Sequence, residues 1–431
     1  MTINYNEVGG EMYQLMTELF PICRSITGNG VRETLNIIKK HIPVTVHEVP
    51  SGTQVFDWTV PKEWNITEAY VKNSKGKKII DFMENNLHVL NYSVPVKKKI
   101  SLGELKEHLF TLPEYPDWIP YRTSYYKEIW GFCISHNQFI DLKEDEYEVF
   151  IDSSLENGCL TYGEYYIKGE KKEEVLISAH VCHPSLCNDN LSGIVLAVFL
   201  AKHLSQKSLK YSYRFLFIPG TIGSITWLCL NESNISKIKH GLVAACLGDS
   251  GKFTYKKSRQ GNAEIDRAVI NVLRNSGNDY KIIDFIPFGY DERQYCSPGF
   301  NLAVGCLMKT PHGYYQEYHT SADNLVLVRP EYLADSFSIA LSVFDILENN
   351  KKYINLNPKC EPQLGKRGLY QMMGGQKDKK IKELALLWVL NLSDGNNTLL
   401  YISDQSGIEF ALIKDVANIL LKHDLLKECP E

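Results

Sequence analysis

Between residues 163 and 353, short apolar runs alternate with longer stretches of helical spacing, and nothing else in the chain restricts its fold so strongly. Glu174-Val-Leu-Ile-Ser-Ala179, Tyr213-Arg-Phe-Leu-Phe-Ile218 and Gly241-Leu-Val-Ala-Ala-Cys-Leu247 read as strands. Runs this apolar have no polar face to turn to water, so they belong to a sheet covered on both sides. Residues 191–204 and 331–349 read as covering helices. The alternation predicts an α/β fold with a mostly parallel-centred mixed sheet flanked by helices. Functional residues are then expected on loops at the carboxyl ends of the strands.

At 431 residues the chain is longer than one hydrophobic core usually serves. Residues 1–48 open with Met12, Leu15, Met16, Leu19 and Phe20 at helical spacing, and join residues 163–357 as one catalytic domain. Residues 49–162 change character. Gln54-Val-Phe-Asp-Trp-Thr-Val60 alternates, and aromatic, Pro and Gly residues recur, which predicts an inserted β-rich domain. After a polar linker, residues 358–431 hold three helical patterns, the first carried by Ile381, Leu384, Leu387 and Trp388. That compact set predicts a winged-helix-like module.

Charge and targeting signals narrow the partners. The net charge of −4 provides no basic field for nucleic acid or an anionic membrane. Lys377, Lys379, Lys380 and Lys382 cluster, but Glu409, Asp415 and Asp424 follow in the same module, so a nucleic-acid partner is not expected. The longest nearly apolar run, 191–201, is too short to span a bilayer. The first twenty residues lack the pattern of a secretory signal, and eleven cysteines form no paired framework. A cytoplasmic location follows as the expectation, with a homo-oligomer left open.

The chemistry concentrates in three loops. The first strand ends directly in His180, and the polar loop after it delivers Asn188-Asp189-Asn190 before a helix. Far along the chain, Tyr318-His-Thr320 places His319 in another polar loop, and Asp249 follows the third strand. Imidazole nitrogen and carboxylate oxygen suit zinc, and a catalytic site leaves one position open. His180, Asp189, His319 and Asp249 are therefore the candidate metal ligands. Each alone has a plain structural reading, as a loop hydrogen bond or a helix cap. Their combination is what points to a metal. His183 before a proline reads as a turn device, a ligand or a partner of one. Gly289-Tyr-Asp-Glu-Arg-Gln294 supplies Asp291 and Glu292 as proton acceptors, Glu292 being favoured as the catalytic base. Arg293 is placed to hold a substrate carboxylate. The aromatic cluster around Tyr121, Tyr125, Tyr126 and Trp130 is either a pocket lining or the core of the inserted domain.

With these motifs, residues 165–353 resemble the co-catalytic zinc aminopeptidases. His180 matches that family's His-x-Asp site with Cys182 in place of the aspartate. Asp189-Asn-Leu-Ser-Gly193 matches its bridging aspartate, Asp249 a further acid, and Tyr318-His-Thr-x-x-Asp323 its last histidine, with Tyr318 at the substrate. The whole chain resembles a bacterial family of aminopeptidase-like proteins with an inserted β-rich domain and a C-terminal winged helix. Cys182-His-Pro184, Pro219-Gly-Thr-Ile-Gly-Ser224 and Asp291-Glu-Arg-Gln294 carry that likeness. One departure stands out. Two-zinc aminopeptidases carry adjacent glutamates before the Gly-x-x-Gly-Ser turn, and here Phe217, Ile218 and Pro219 stand there. The resemblance then implies one zinc per chain and hydrolysis of an amide in a peptide or small substrate. It leaves open a degenerate peptidase domain acting as a ligand sensor, or an amide hydrolase working on a sugar or envelope intermediate.

Overall fold

In the computed structural model, residues 3–369 and 376–430 are described, with the side chains of 376–379, including Lys377 and Lys379 of the basic cluster, outside that description. The chain divides into two compact units, 1–261 with 281–338, and 262–280 with 339–431.

The first unit is built on an eight-stranded sheet. Its strands are β1 (Thr45–Pro50), β2 (Cys159–Ile167), β3 (Glu174–His180), β4 (Ser212–Ile218), β5 (Ile238–Ala244), β6 (Phe253–Lys256), β7 (Tyr280–Ile283) and β8 (Val304–Met308). Their spatial order is β1-β2-β4-β3-β5-β8-β6-β7. The four central strands β4, β3, β5 and β8 run parallel, while β1, β2 and β6 join antiparallel. All seven residues of β3 are buried, as a strand with both faces covered requires. Helices α1 (Tyr5–Leu19), α2 (Asn29–Ile38), α3 (Ser192–Leu204), α4 (Ile222–Leu230) and the single turn α5 (Glu292–Tyr295) follow in chain order. Helix α3 buries Ile194 through Ala201 without a break, and α1 packs against it. The mixed, parallel-centred α/β sheet expected from the sequence is what forms.

The inserted segment contributes its own antiparallel sheet, in the order Lys78–Asp81, Glu63–Lys72, Glu146–Glu156, Val96–Ser101. It is not walled off. One hydrophobic cluster runs from its Trp64, Phe132 and Val149 to Leu216, Ile218 and Val304 of the main sheet.

The second unit combines the helix Glu264–Asn275 and residues 339–349 with strand β9 (Lys352–Asn355), α6 (Gln376–Leu392), β10 (Asp394–Thr398), α7 (Leu399–Ser406), α8 (Phe410–Lys422) and β11 (Leu426–Glu428). Its sheet has β9 between β10 and β11, so it draws in a strand that lies ahead of residue 358. Thr398 caps α7 through its hydroxyl, and Gly407, at φ +67°, ends that helix before α8. Arg267 pairs with Asp404 at 3.0 Å and Asn271 with Ser403 at 2.9 Å, tying Glu264–Asn275 to α7. Among the described residues no helix is long and apolar enough to cross a membrane.

Candidate active site

Strand β3 is the pivot of the sheet. The next strand in sequence, β4, lies on one side of it and β5 on the other, so the connections leave in opposite directions and open a crevice at its carboxyl end. His180 is the last residue of β3, and its Nε2 lies 2.8 Å from Asp189 Oδ1. Asp189 comes from the loop that leads into α3. His319 brings its Nε2 within 3.0 Å of the other oxygen, Asp189 Oδ2, and His183 Nε2 lies 3.7 Å from that atom. Three imidazoles thus surround one carboxylate buried to 1% exposure.

Several contacts hold Asp189 in place. Asp323 accepts the backbone N–H of Asn188 at 2.6 Å and of Asp189 at 3.0 Å, and the Tyr315 hydroxyl at 3.1 Å. Burial pushes the Asp323 carboxyl up to about 7. Burial would also raise Asp189, but His183, His180 and His319 outweigh it and hold that carboxyl well below its usual range. Burial keeps the His183 imidazole neutral, well below its ordinary value.

Nitrogen and oxygen donors of His180, His183 and Asp189 lie within 4.8 Å of one another. With His319 on the same carboxylate, the donor set fits zinc or a similar divalent ion. Sequence reasoning left His183 undecided. A second imidazole three residues after His180, just beyond the strand end, was the signal for it. Arg24 Nε donates to the His183 carbonyl at 2.8 Å, anchoring that loop from beneath.

Two expected members stand elsewhere. Asp249 is not brought into this cluster. Its carboxylate accepts Asn188 Nδ2 at 2.8 Å, Thr310 Oγ1 at 2.9 Å and Thr310 N at 3.2 Å, bracing the loops instead. Glu292 departs further from its expected role as base. It is fully buried, ion-paired with Lys256 and capped by the backbone N–H of Tyr290 at 3.2 Å, because α5 turns it towards β6.

Asp291, its neighbour, points the other way. Its Oδ1 accepts the Thr221 N–H at 2.7 Å and the Ser224 hydroxyl at 2.9 Å, in the turn that opens α4. This is the Gly-x-x-Gly-Ser turn that lacks its glutamates. The other oxygen, Oδ2, is buried with no hydrogen-bond partner. Burial pushes this carboxyl up to about 6, while His180, close enough to act on it, pulls it down. Arg293 is half-buried, with its Nε lacking a partner. Tyr318 stacks on His319 with ring centroids 3.9 Å apart.

Tyr290 fixes the opposite wall. Its ring lies 3.8 Å from that of His180, and its hydroxyl is 3.3 Å from Cys182 Sγ. A Cβ at Gly220 would collide with the Tyr290 ring, so glycine is needed at that close approach. Burial pushes the Cys182 thiol up to about 12, which leaves it protonated where the resembling family has an aspartate.

The inserted segment closes the site. Ile119 and Ser321 exchange hydrogen bonds, and the Tyr121 N–H donates to the His319 carbonyl at 2.7 Å. This grip holds His319 at φ +56°, a left-handed conformation that costs a non-glycine residue about 1 kcal/mol or more. The Tyr121 ring then stands edge-on to both His183, at 5.2 Å, and His319, at 5.0 Å. Tyr121 is 4% exposed and packs in a small buried cluster with Leu87 and Leu186, so it serves as core of the inserted segment while its ring edge meets the two imidazoles.

Residues 13–350 match the family model described as "Domain of unknown function (DUF4910)", and residues 351–428 match a winged helix-turn-helix family. A Clostridium acetobutylicum protein named "Putative polysaccharide biosynthesis protein with aminopeptidase-like domain" is 60% identical over 424 residues, 98% of each chain. The crystal structure of a "putative peptidase" from Clostridium acetobutylicum has a TM-score of 0.95 and 58% identity, covering 99% of this chain and 98% of that one. A zinc aminopeptidase from Bacillus subtilis shares the fold, at TM-score 0.59 and 12% identity, over 80% of this chain and 95% of its own. An architecture of aminopeptidase-like sheet, inserted β segment and winged helix, together with these matches, makes the chain a member of the DUF4910 family.

Proposed function

We propose that this protein hydrolyses an amide bond, with one zinc ion held by His180, Asp189 and His319, joined by His183. The observation that carries the reading is the pairing of this buried donor set with Asp291 Oδ2, a buried carboxylate oxygen that nothing satisfies. Zinc bound there would polarise the scissile carbonyl and acidify water.

The protein's own groups do the rest. Asp291, not Glu292, accepts the proton of the attacking water, since Lys256 already occupies Glu292. The water oxygen forms a bond to the acyl carbon, the C–N bond breaks, and Asp291 passes its proton to the departing nitrogen. The products are a carboxylic acid and an amine. The Thr221 N–H and Ser224 hydroxyl hold Oδ1, so Oδ2 is the oxygen left to turn to substrate. Arg293 and Tyr318 flank the substrate. The name of the Clostridium relative refers both to polysaccharide biosynthesis and to an aminopeptidase-like domain, so an amide on a sugar stands beside one in a peptide as the substrate class. A nucleic-acid role for the winged helix has less support, since Lys414 of α8 is tied to Asp345 at 2.6 Å and Asp415 stands beside it.

The test is metal analysis of the purified protein followed by a screen of amide substrates. About one ion per chain is expected. His319→Ala should lose it while the fold persists. A protein that takes up no divalent ion after reconstitution would sink the reading.

A further inference from the structure

An aromatic path leads from the ligand imidazoles to solvent, and the inserted segment supplies every ring of it. Tyr121, edge-on to His183 and His319, places its hydroxyl 2.9 Å from that of Tyr125. Tyr126, the next residue in the chain, is 54% exposed. Its ring meets Trp58 at 5.8 Å, edge to face, and Trp58 is 40% exposed. Trp58 belongs to the hairpin Gln54–Val55/Trp58–Thr59, which packs against α4, the helix whose first turn holds Asp291. Large exposed aromatic faces beside a buried polar centre are what a pyranose ring stacks on, through its C–H face.

A second observation restricts what the site can take. A peptide with a free N-terminus carries an ammonium beside its scissile bond, and a buried ammonium needs an anion. The buried carboxylates here are engaged. Asp189 lies among imidazoles, Asp323 holds backbone N–H groups, Asp249 braces Thr310 and Asn188, and Glu292 pairs with Lys256. Among the buried carboxylates of the described residues, only Asp291 keeps an oxygen unpartnered. An ammonium placed there would consume the proton acceptor that hydrolysis needs.

We propose that the substrate is an N-acylated amino sugar, its ring stacked on Trp58 and Tyr126 and its acyl amide directed to the Asp189 cluster. This rests on the amide-hydrolase reading of the same site. Water cleaves the amide, giving a carboxylic acid and the free amino sugar. Trp58 and Tyr126 set specificity and take no part in the chemistry.

The experiment uses the full chain reconstituted with zinc. Calorimetric titration of Asp291→Asn, whose turnover should be slower by roughly two to four powers of ten, compares methyl glycosides of N-acetylhexosamines with the dipeptide Leu-Gly. The glycosides should bind more tightly than the dipeptide, and adding Trp58→Ala or Tyr126→Ala should weaken them about tenfold each. Zinc content and Tm should stay unchanged, which separates a lost platform from a damaged fold. No binding of any glycoside, tighter binding of Leu-Gly, or glycoside affinity indifferent to both aromatic variants would overturn the proposal. Glycosides that bind as expected but survive wild-type protein would leave the sugar site standing and remove the hydrolase reading.

Discussion

The loop from β3 to α3 and the turn around α5 both supply buried acids to one crevice, yet they do so by opposite routes. In the first, His180, His183 and Asp189 lie within ten residues, and the chain itself carries them to the same place. In the second, Asp291 and Glu292 are adjacent and equally buried, and they part completely. Asp291 reaches the first turn of α4, and Glu292 reaches Lys256 on β6. Local sequence can assemble a ligand set. It cannot by itself say which of two neighbouring carboxylates is free, because that depends on what each meets from a distant element.

The sharpest way to break this comparison is Asp291→Asn. Turnover of an amide substrate should fall by roughly two to four powers of ten with zinc content unchanged, since the amide keeps Oδ1's partners but accepts no proton. Activity near wild type would return the base to another group. Glu292→Gln should do the reverse and damage the fold first. Leaving Lys256 buried without its partner costs about 3 to 5 kcal/mol, read as a lower denaturant midpoint.

A smaller effect concerns pH. The Asp291 carboxyl is raised from 3.8 to about 6 in the folded protein, so the folded state holds its proton more tightly than the unfolded one. Its contribution to stability is complete below about pH 4 and is lost as pH rises through about 6, a difference of up to about 3 kcal/mol. Metal-free wild type should therefore lose stability relative to metal-free Asp291→Asn between those pH values, as parallel denaturation series would show. Parallel curves would mean that Asp291 is already an ordinary carboxylate. Smallest of all, Asp249→Asn should cost about 1 to 2 kcal/mol through weakened bonds to Thr310 and Asn188, with the metal retained. Loss of the metal would restore Asp249 as a ligand.

The sheet was legible because its central strands have no polar alternation, and His180 was legible because it ends one of them. Asp189 followed from its place before the α3 helix, and His319 from its polar loop. The face of α6 was not legible. Ile381, Leu384 and Leu387, which carry the helical pattern, are all exposed, while Ala385, Leu386, Val389 and Leu390 are buried. A helix apolar on two sides shows its period without showing which side meets the core. Tyr121 was equally ambiguous, since an aromatic residue serves a core and a pocket alike.

The sequence by itself determined the α/β layering, the strand that ends in His180 and the loop that carries Asp189, because each depends on residues a few positions apart. Only the tertiary structure decided that Asp249 braces loops, that Tyr121 crosses from the inserted segment to grip His319, and that Asp291 and not Glu292 keeps a free oxygen. Successive side chains on a helical turn point about 100° apart. Asp291, which caps α5, and Glu292, its first residue, are therefore certain to meet different surroundings, and those surroundings come from the turn that opens α4 and from β6, some seventy and thirty-six residues away in the chain.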